Sequence, residues 1–180
     1  RSLKVELLDG DIIRTNFSKG LGFTKQDRDI NILRIGFISY LLNKNGVISI
    51  VAAISPYRET RERNRALLKD YIEVFCDCPL DILCRRDPKG LYAKAKTGEI
   101  PNFTGISDPY EMPEDAQITL KTGEEAREDS FHKVMAYLED HEYVPREEDC
   151  VLCEYSEEDE RALREQLVAL GFAKKVAGGF

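Results

Sequence analysis

No apolar run in these 180 residues approaches the roughly 18 residues that a membrane-spanning helix needs. The chain opens without the basic n-region, apolar h-region and cleavage site of a secretory signal, so a cytoplasmic protein is expected. Basic residues are not in excess: the net charge of −7 argues against nonspecific binding to nucleic acid or to an anionic membrane. It leaves room for an anionic substrate, because a local cluster of arginine and lysine can bind one whatever the total charge. Cysteine lacks a metal-binding pattern. Cys76, Cys78, Cys84, Cys150 and Cys153 are an odd number, and Cys150-x-x-Cys153 has zinc-knuckle spacing but no second pair to complete four ligands. His132 and His141 could add to such a site, yet reduced thiols in a cytosolic protein are the simpler reading.

What is present is an ordinary globular composition, 42% apolar and 33% charged, at a length that can bury a core. Leu3–Leu8 predicts a buried strand, with a turn at Asp9-Gly10-Asp11. Apolar positions from Ile30 to Leu42 recur at the helical period; Thr24 predicts the N-cap with Asp27 at the third position, and Asn45-Gly46 the end. Val47–Ile54 is β-branched enough for a strand covered on both faces, broken by Ser55-Pro56. A charged helix over 57–69, a strand over 71–76 and a short helix over 79–86 follow. Residues 87–112 lose all periodicity, which in a compact domain predicts a functional lid or a disordered loop. A strand at 117–120 and a helix over 124–140 close the main body. Alternating strands and helices predict an α/β domain with a parallel sheet. Residues 1–144 are read as that domain and 145–180 as a tail, whose Leu163, Leu167 and Leu170 predict an amphipathic docking helix ended by Gly171.

Three clusters could carry chemistry. Asp9 and Asp11 follow the first strand, at the end where open α/β sheets place their ligands. Two acids there could order magnesium through water or accept a proton from a hydroxyl, and a merely polar turn would read the same. Arg14, Arg28, Arg34, Arg58 and Lys89 lie near strand ends or on the next helix, and guanidinium forks match phosphate or sulfate oxygens. Finally, residues 87–111 mix glycine hinges, lysines and aromatic rings, as a mobile cover over a nucleotide would. A disordered loop would not carry so many apolar side chains.

In order and spacing, LLDGDxxR, LGFxxxDRDxNxxRIG, ISPYR, RDPKGLYxKAxxGEI and FTGIxDPYE over about residues 3–122 closely resemble the adenylylsulfate (APS) kinase family. The resemblance implies transfer of the γ-phosphoryl group of MgATP to the 3′-hydroxyl of APS, giving PAPS. It implies the parallel-sheet fold of P-loop nucleoside monophosphate kinases and a homodimer. Carried over residue by residue, the family's APS contacts fall on Asp9, Asp11, Ile12, Ile13, Arg14, Phe23, Arg28, Asn31, Ile54, Ser55, Lys89, Asn102 and Phe103. Phe23 and Phe103 would sandwich the adenine of APS, the arginines would hold its phosphosulfate, and Arg86 would lie beside the adenine of ATP. Asp11 would orient or deprotonate the hydroxyl, with Ser55 and Lys89 beside it. Ser55 matches a serine described as a phosphoserine intermediate in bacterial members, but in-line transfer needs none, so it reads as a substrate and magnesium contact. Two positions depart from the family: Asn102 stands where glycine is common and Ile12 where asparagine is.

A larger departure is the absence of GxxxxGK(S/T) from the 180 residues, the loop whose amides and lysine cradle the phosphates of ATP. In this fold the strand before that loop is central, and without it the hydrogen-bonded ladder would split and expose its edges. Together with Arg1 in place of Met, this leads to the expectation of an upstream segment of roughly 30 to 40 residues, the span from such a strand through its loop and helix. Three readings stand: an active kinase with that segment, an inactive APS- or PAPS-binding module, and the kinase part of a chain joined to ATP sulfurylase.

Overall fold

Val5–Asp9 forms β1 and Ile48–Ala52 forms β2; they pair in parallel, Val5 opposite Ile48 and Asp9 opposite Ala52. Between them, in a computed structural model that describes residues 3–146, run two helices, α1 (Gly10–Thr15) and α2 (Lys25–Lys44). Asp9 makes the switch from strand to helix. Its carboxylate accepts from the amides of Asp11 and Ile12 at 2.9 and 3.1 Å, so the expected turn is a short helix instead. Thr24 caps α2 as predicted, accepting from the Asp27 amide at 3.2 Å. Leu8, Ile13, Ile32 and Ile35 form the buried core where α1 and α2 meet the strands, with Ile38, Leu42 and Ala53 against it.

After β2 comes α3 (Arg58–Leu67), then β3 (Val74–Asp77), α4 (Leu80–Arg86) and α5 (Leu91–Lys96). β4 (Ile118–Lys121) pairs in parallel with β3, and α6 (Arg127–Asp140) follows. α3 looks charged from end to end, yet Thr60, Arg61 and Asn64 are buried. The Asn64 side chain packs on Gly36 of α2, where an added methyl would come within 2.1 Å of its oxygen, and its amide donates to the Ile32 carbonyl.

Two expectations need correction. Residues 87–112 contain the helix α5, which starts behind Gly90 and takes two amides, of Tyr92 and Ala93, onto the Asp87 carboxylate. The first strand pair is not covered as expected: in β1 Val5 is 50% and Leu7 58% exposed, and in β2 Ile50 is 53% and Val51 45% exposed. The reason is the sheet itself. Among the described residues the parallel strands form two separate pairs, β1–β2 and β3–β4. The main elements fall within Ser2–Tyr143; the tail helix and Cys150-x-x-Cys153 lie outside the described residues. No helix among the described residues is long and apolar enough to cross a membrane. Cys76, Cys78 and Cys84 carry free thiols.

Candidate functional site

β1 and β2 are parallel neighbours in register at Asp9 and Ala52, so the two segments that leave them, Gly10–Arg14 and Ala53–Ser55, emerge from the same end of the ladder. Asp11 stands in the first turn of α1 and Arg14 in its last, while Ile13 turns inward to the core and Ile12 stays exposed. Ser55 follows β2 with φ +42°, a left-handed conformation rare for a side chain other than glycine. Ile54 beside it is exposed.

Phe23 lies at the start of α2 between two cations. The Arg14 guanidinium carbon is 4.8 Å and that of Arg28 5.3 Å from its ring centre. Arg14 donates to the Gly22 carbonyl at 2.9 Å and Arg28 to the Phe23 carbonyl at 3.0 Å. Arg28 is 6% exposed, and burial first, then the nearby Arg14 charge, holds it below the ordinary arginine value. Arginine keeps its proton at neutral pH regardless. Among the described residues neither guanidinium pairs with a carboxylate at salt-bridge distance. Two like charges against one ring repel unless an anion joins them.

Segment 87–112 closes on this platform at three points. Lys89 pairs with Asp11, whose carboxylate raises the lysine above its ordinary value. Arg28 reaches across 74 positions to the Asn102 carbonyl at 2.8 Å. Because that contact is through the backbone, asparagine serves where glycine is common, and its φ of +55° explains why glycine would suit the position. Phe103, next along, packs edge-on against Tyr92 with ring centres 5.0 Å apart. One guanidinium thus ties together the backbones that carry Phe23 and Phe103. The third point is Glu111, whose amide donates to the Pro56 carbonyl at 2.8 Å and whose carboxylate accepts the Arg58 amide at 2.6 Å. That carboxylate supplies the N-terminal cap that Tyr57 does not.

Asn31 is buried one turn beyond Arg28, with its side-chain oxygen unpartnered. Arg86 is exposed in the last turn of α4, apart from these contacts. Arg34 points elsewhere, its guanidinium over the Phe17 ring at 5.9 Å. Asp9 spends a carboxylate oxygen on the α1 cap, Asp11 faces Lys89, and the described residues hold no cluster of three or more metal-ligating side chains. Sequence reasoning missed Arg61, Glu73 and Glu111. Arg61 is one of four arginines in a run that reads as solvated, and nothing local marks it as the buried one.

Comparison with known proteins adds a second line. The family model for adenylylsulphate kinase matches residues 1–121. A protein of Picosynechococcus named adenylyl-sulfate kinase is 55% identical over 141 residues, 78% of this chain and 80% of that one. A probable bifunctional SAT/APS kinase of Sorangium cellulosum is 53% identical over 146 residues; the match covers 81% of this chain but spans only a quarter (25%) of that longer protein. Among solved structures, the Mycobacterium tuberculosis APS kinase in complex with AMPPNP and APS superposes with a TM-score of 0.71 at 40% identity, covering 76% of this chain and 81% of that one.

Proposed function

The chain belongs to the adenylylsulfate kinase family, and from that premise we propose that it carries the acceptor site for APS and works in the transfer of the γ-phosphoryl group of MgATP to the APS 3′-hydroxyl. The observation that carries this reading is the Arg14–Phe23–Arg28 cluster, two guanidiniums beside one aromatic ring with no carboxylate at salt-bridge distance among the described residues. An anion attached to a flat heterocycle, as in a nucleotide phosphosulfate, satisfies both features at once. Phe23 and Phe103 would flank the adenine, with Arg14 and Arg28 on the phosphosulfate. Ile12, Ile13, Asn31, Ile54 and Asn102 would line the site.

Asp11 then orients the 3′-hydroxyl by accepting its hydrogen bond. Lys89, already paired with Asp11, is placed to balance charge where the phosphoryl group arrives. Transfer through a loose transition state asks for in-line positioning more than for a strong base. Ser55 contacts substrate at the end of β2 and needs no phosphorylated intermediate. ATP enters as its magnesium complex, with Arg86 proposed beside its adenine, and no step is assigned to the metal. We further read residues 1–144 as the kinase domain and 145–180 as an appended tail, in a cytoplasmic homodimer.

The test is PAPS formation from APS and MgATP, followed by chromatography alongside calorimetric binding of APS. Turnover that Asp11→Asn and Lys89→Met each reduce supports the kinase. A second reading is an APS- or PAPS-binding module. Tight APS binding with no product would select it, and no APS binding at all would overturn both.

A further inference from the structure

Three groups converge on one buried side chain outside the APS contacts. Arg61, in the second turn of α3, is 4% exposed. Its Nη1 donates to the Ser55 carbonyl at 2.9 Å and its Nη2 to the Glu111 carbonyl at 2.7 Å. Its Nε meets the Glu73 carboxylate at 2.7 Å. Glu73 is itself nearly buried, takes Arg65 on its other oxygen at 2.5 Å, and is anchored through its own amide to the Gln117 side chain at 2.8 Å. Each of the three Arg61 guanidinium nitrogens therefore has a partner, and its charge is met by one carboxylate fixed from two sides.

The two carbonyls it holds are functionally placed. Ser55 is in a left-handed conformation, which a residue with a side chain adopts only when its surroundings impose it. Glu111 ends the segment that carries Lys89, Asn102 and Phe103, and it also caps α3. We propose that Arg61 is a positioning residue. With Glu73 as its counter-charge, it imposes the Ser55 backbone conformation and locks the end of segment 87–112 to it, so that both present a preformed face to the substrate. The inference rests on the reading of Ser55 as a substrate contact.

Buried ion pairs that lose one member are destabilising whatever their role, so loss of function in Arg61→Met alone decides little. The Arg61→Met/Glu73→Gln double variant removes both charges and should recover most of the melting temperature. It should still bind APS at least tenfold more weakly than the unsubstituted chain, and the carbon chemical shifts of Ser55 should leave the left-handed range. Arg65→Met is the matched control. It takes a partner from Glu73 but touches neither carbonyl, so it should lower stability while leaving APS affinity within twofold. If the double variant binds APS normally, or Arg65→Met weakens binding as much, the positioning role is wrong although the substrate reading stands. If the unsubstituted chain binds no APS, the substrate reading fails and takes this inference with it.

Discussion

The near and far ends of segment 87–112 are fastened to the platform in opposite ways. At the near end, Lys89 and Asp11 meet with side chains that are 60% and 73% exposed. Farther along, the segment is gripped by Arg28 and Arg61, both almost wholly buried. An exposed ion pair contributes little, because water competes for both charges and two long side chains lose freedom. A buried guanidinium bound to carbonyls leaves those acceptors orphaned when it is removed, a penalty of about 1 to 3 kcal/mol for each group. The segment therefore resembles a hinged flap, firmly rooted at 102–111 and lightly latched at 89. The latch is the part that costs least to open.

The largest effect that would break this contrast is expected at the rooted end. Arg28→Ala strands the Phe23 and Asn102 carbonyls and removes one of the two guanidiniums of the proposed anion site. It should weaken APS binding by about 100-fold, roughly 2.7 kcal/mol, and lower stability by about 2 kcal/mol, read by calorimetry and thermal melting. Equal loss from Lys89→Met would erase the distinction. Instead Lys89→Met should leave the melting temperature unchanged and act on turnover, reducing kcat by roughly ten- to a hundredfold as a charge-stabilising group at the transferred phosphoryl would. Smaller still is Asn102→Gly. The contact is a backbone carbonyl, so APS affinity should hold within twofold, with relief of left-handed strain offset by the unfolded-state entropy of glycine.

The smallest effect is a titration. Lys89 is raised first by its hydrogen bond to Asp11 and then by that charge. A group whose folded value exceeds its unfolded one stabilises below the unfolded value and loses that contribution as pH rises through the folded one. On the alkaline side the latch should thus persist through the physiological range and open above the ordinary lysine value of 10.5. In Asp11→Asn the Lys89 ε-carbon signal should titrate earlier; an unchanged midpoint would mean that the pair does not form in solution.

How much of this was legible in the chain depended on range. The Thr24 cap and the helix it starts are written within four residues, β1 shows as a short apolar run and β2 as a β-branched one, so the existence of these elements could be read directly. Gly10–Thr15 was misjudged because Asp9-Gly10-Asp11 fits a turn as well as a cap, and only the two amides on Asp9 decide. Among the residues of the candidate site, Asp11, Arg14, Phe23 and Arg28 were reachable through motif order. Arg61 and Glu73 were not. Their burial depends on Ser55, Glu111 and Gln117 folding toward them from distant parts of the chain, and charge patterning in a helix such as RETRERNR carries no trace of that.

Ser55 carries a consequence for anyone scanning every substitution in this chain. With φ at +42°, glycine should rank among the most abundant survivors at this position when cells are sorted for folded protein, and the β-branched residues among the rarest. Sorted instead for growth that depends on PAPS, the same library should deplete glycine, since the hydroxyl goes with the side chain. Position 55 is where fitness for being folded and fitness for being useful would be ranked in opposite order.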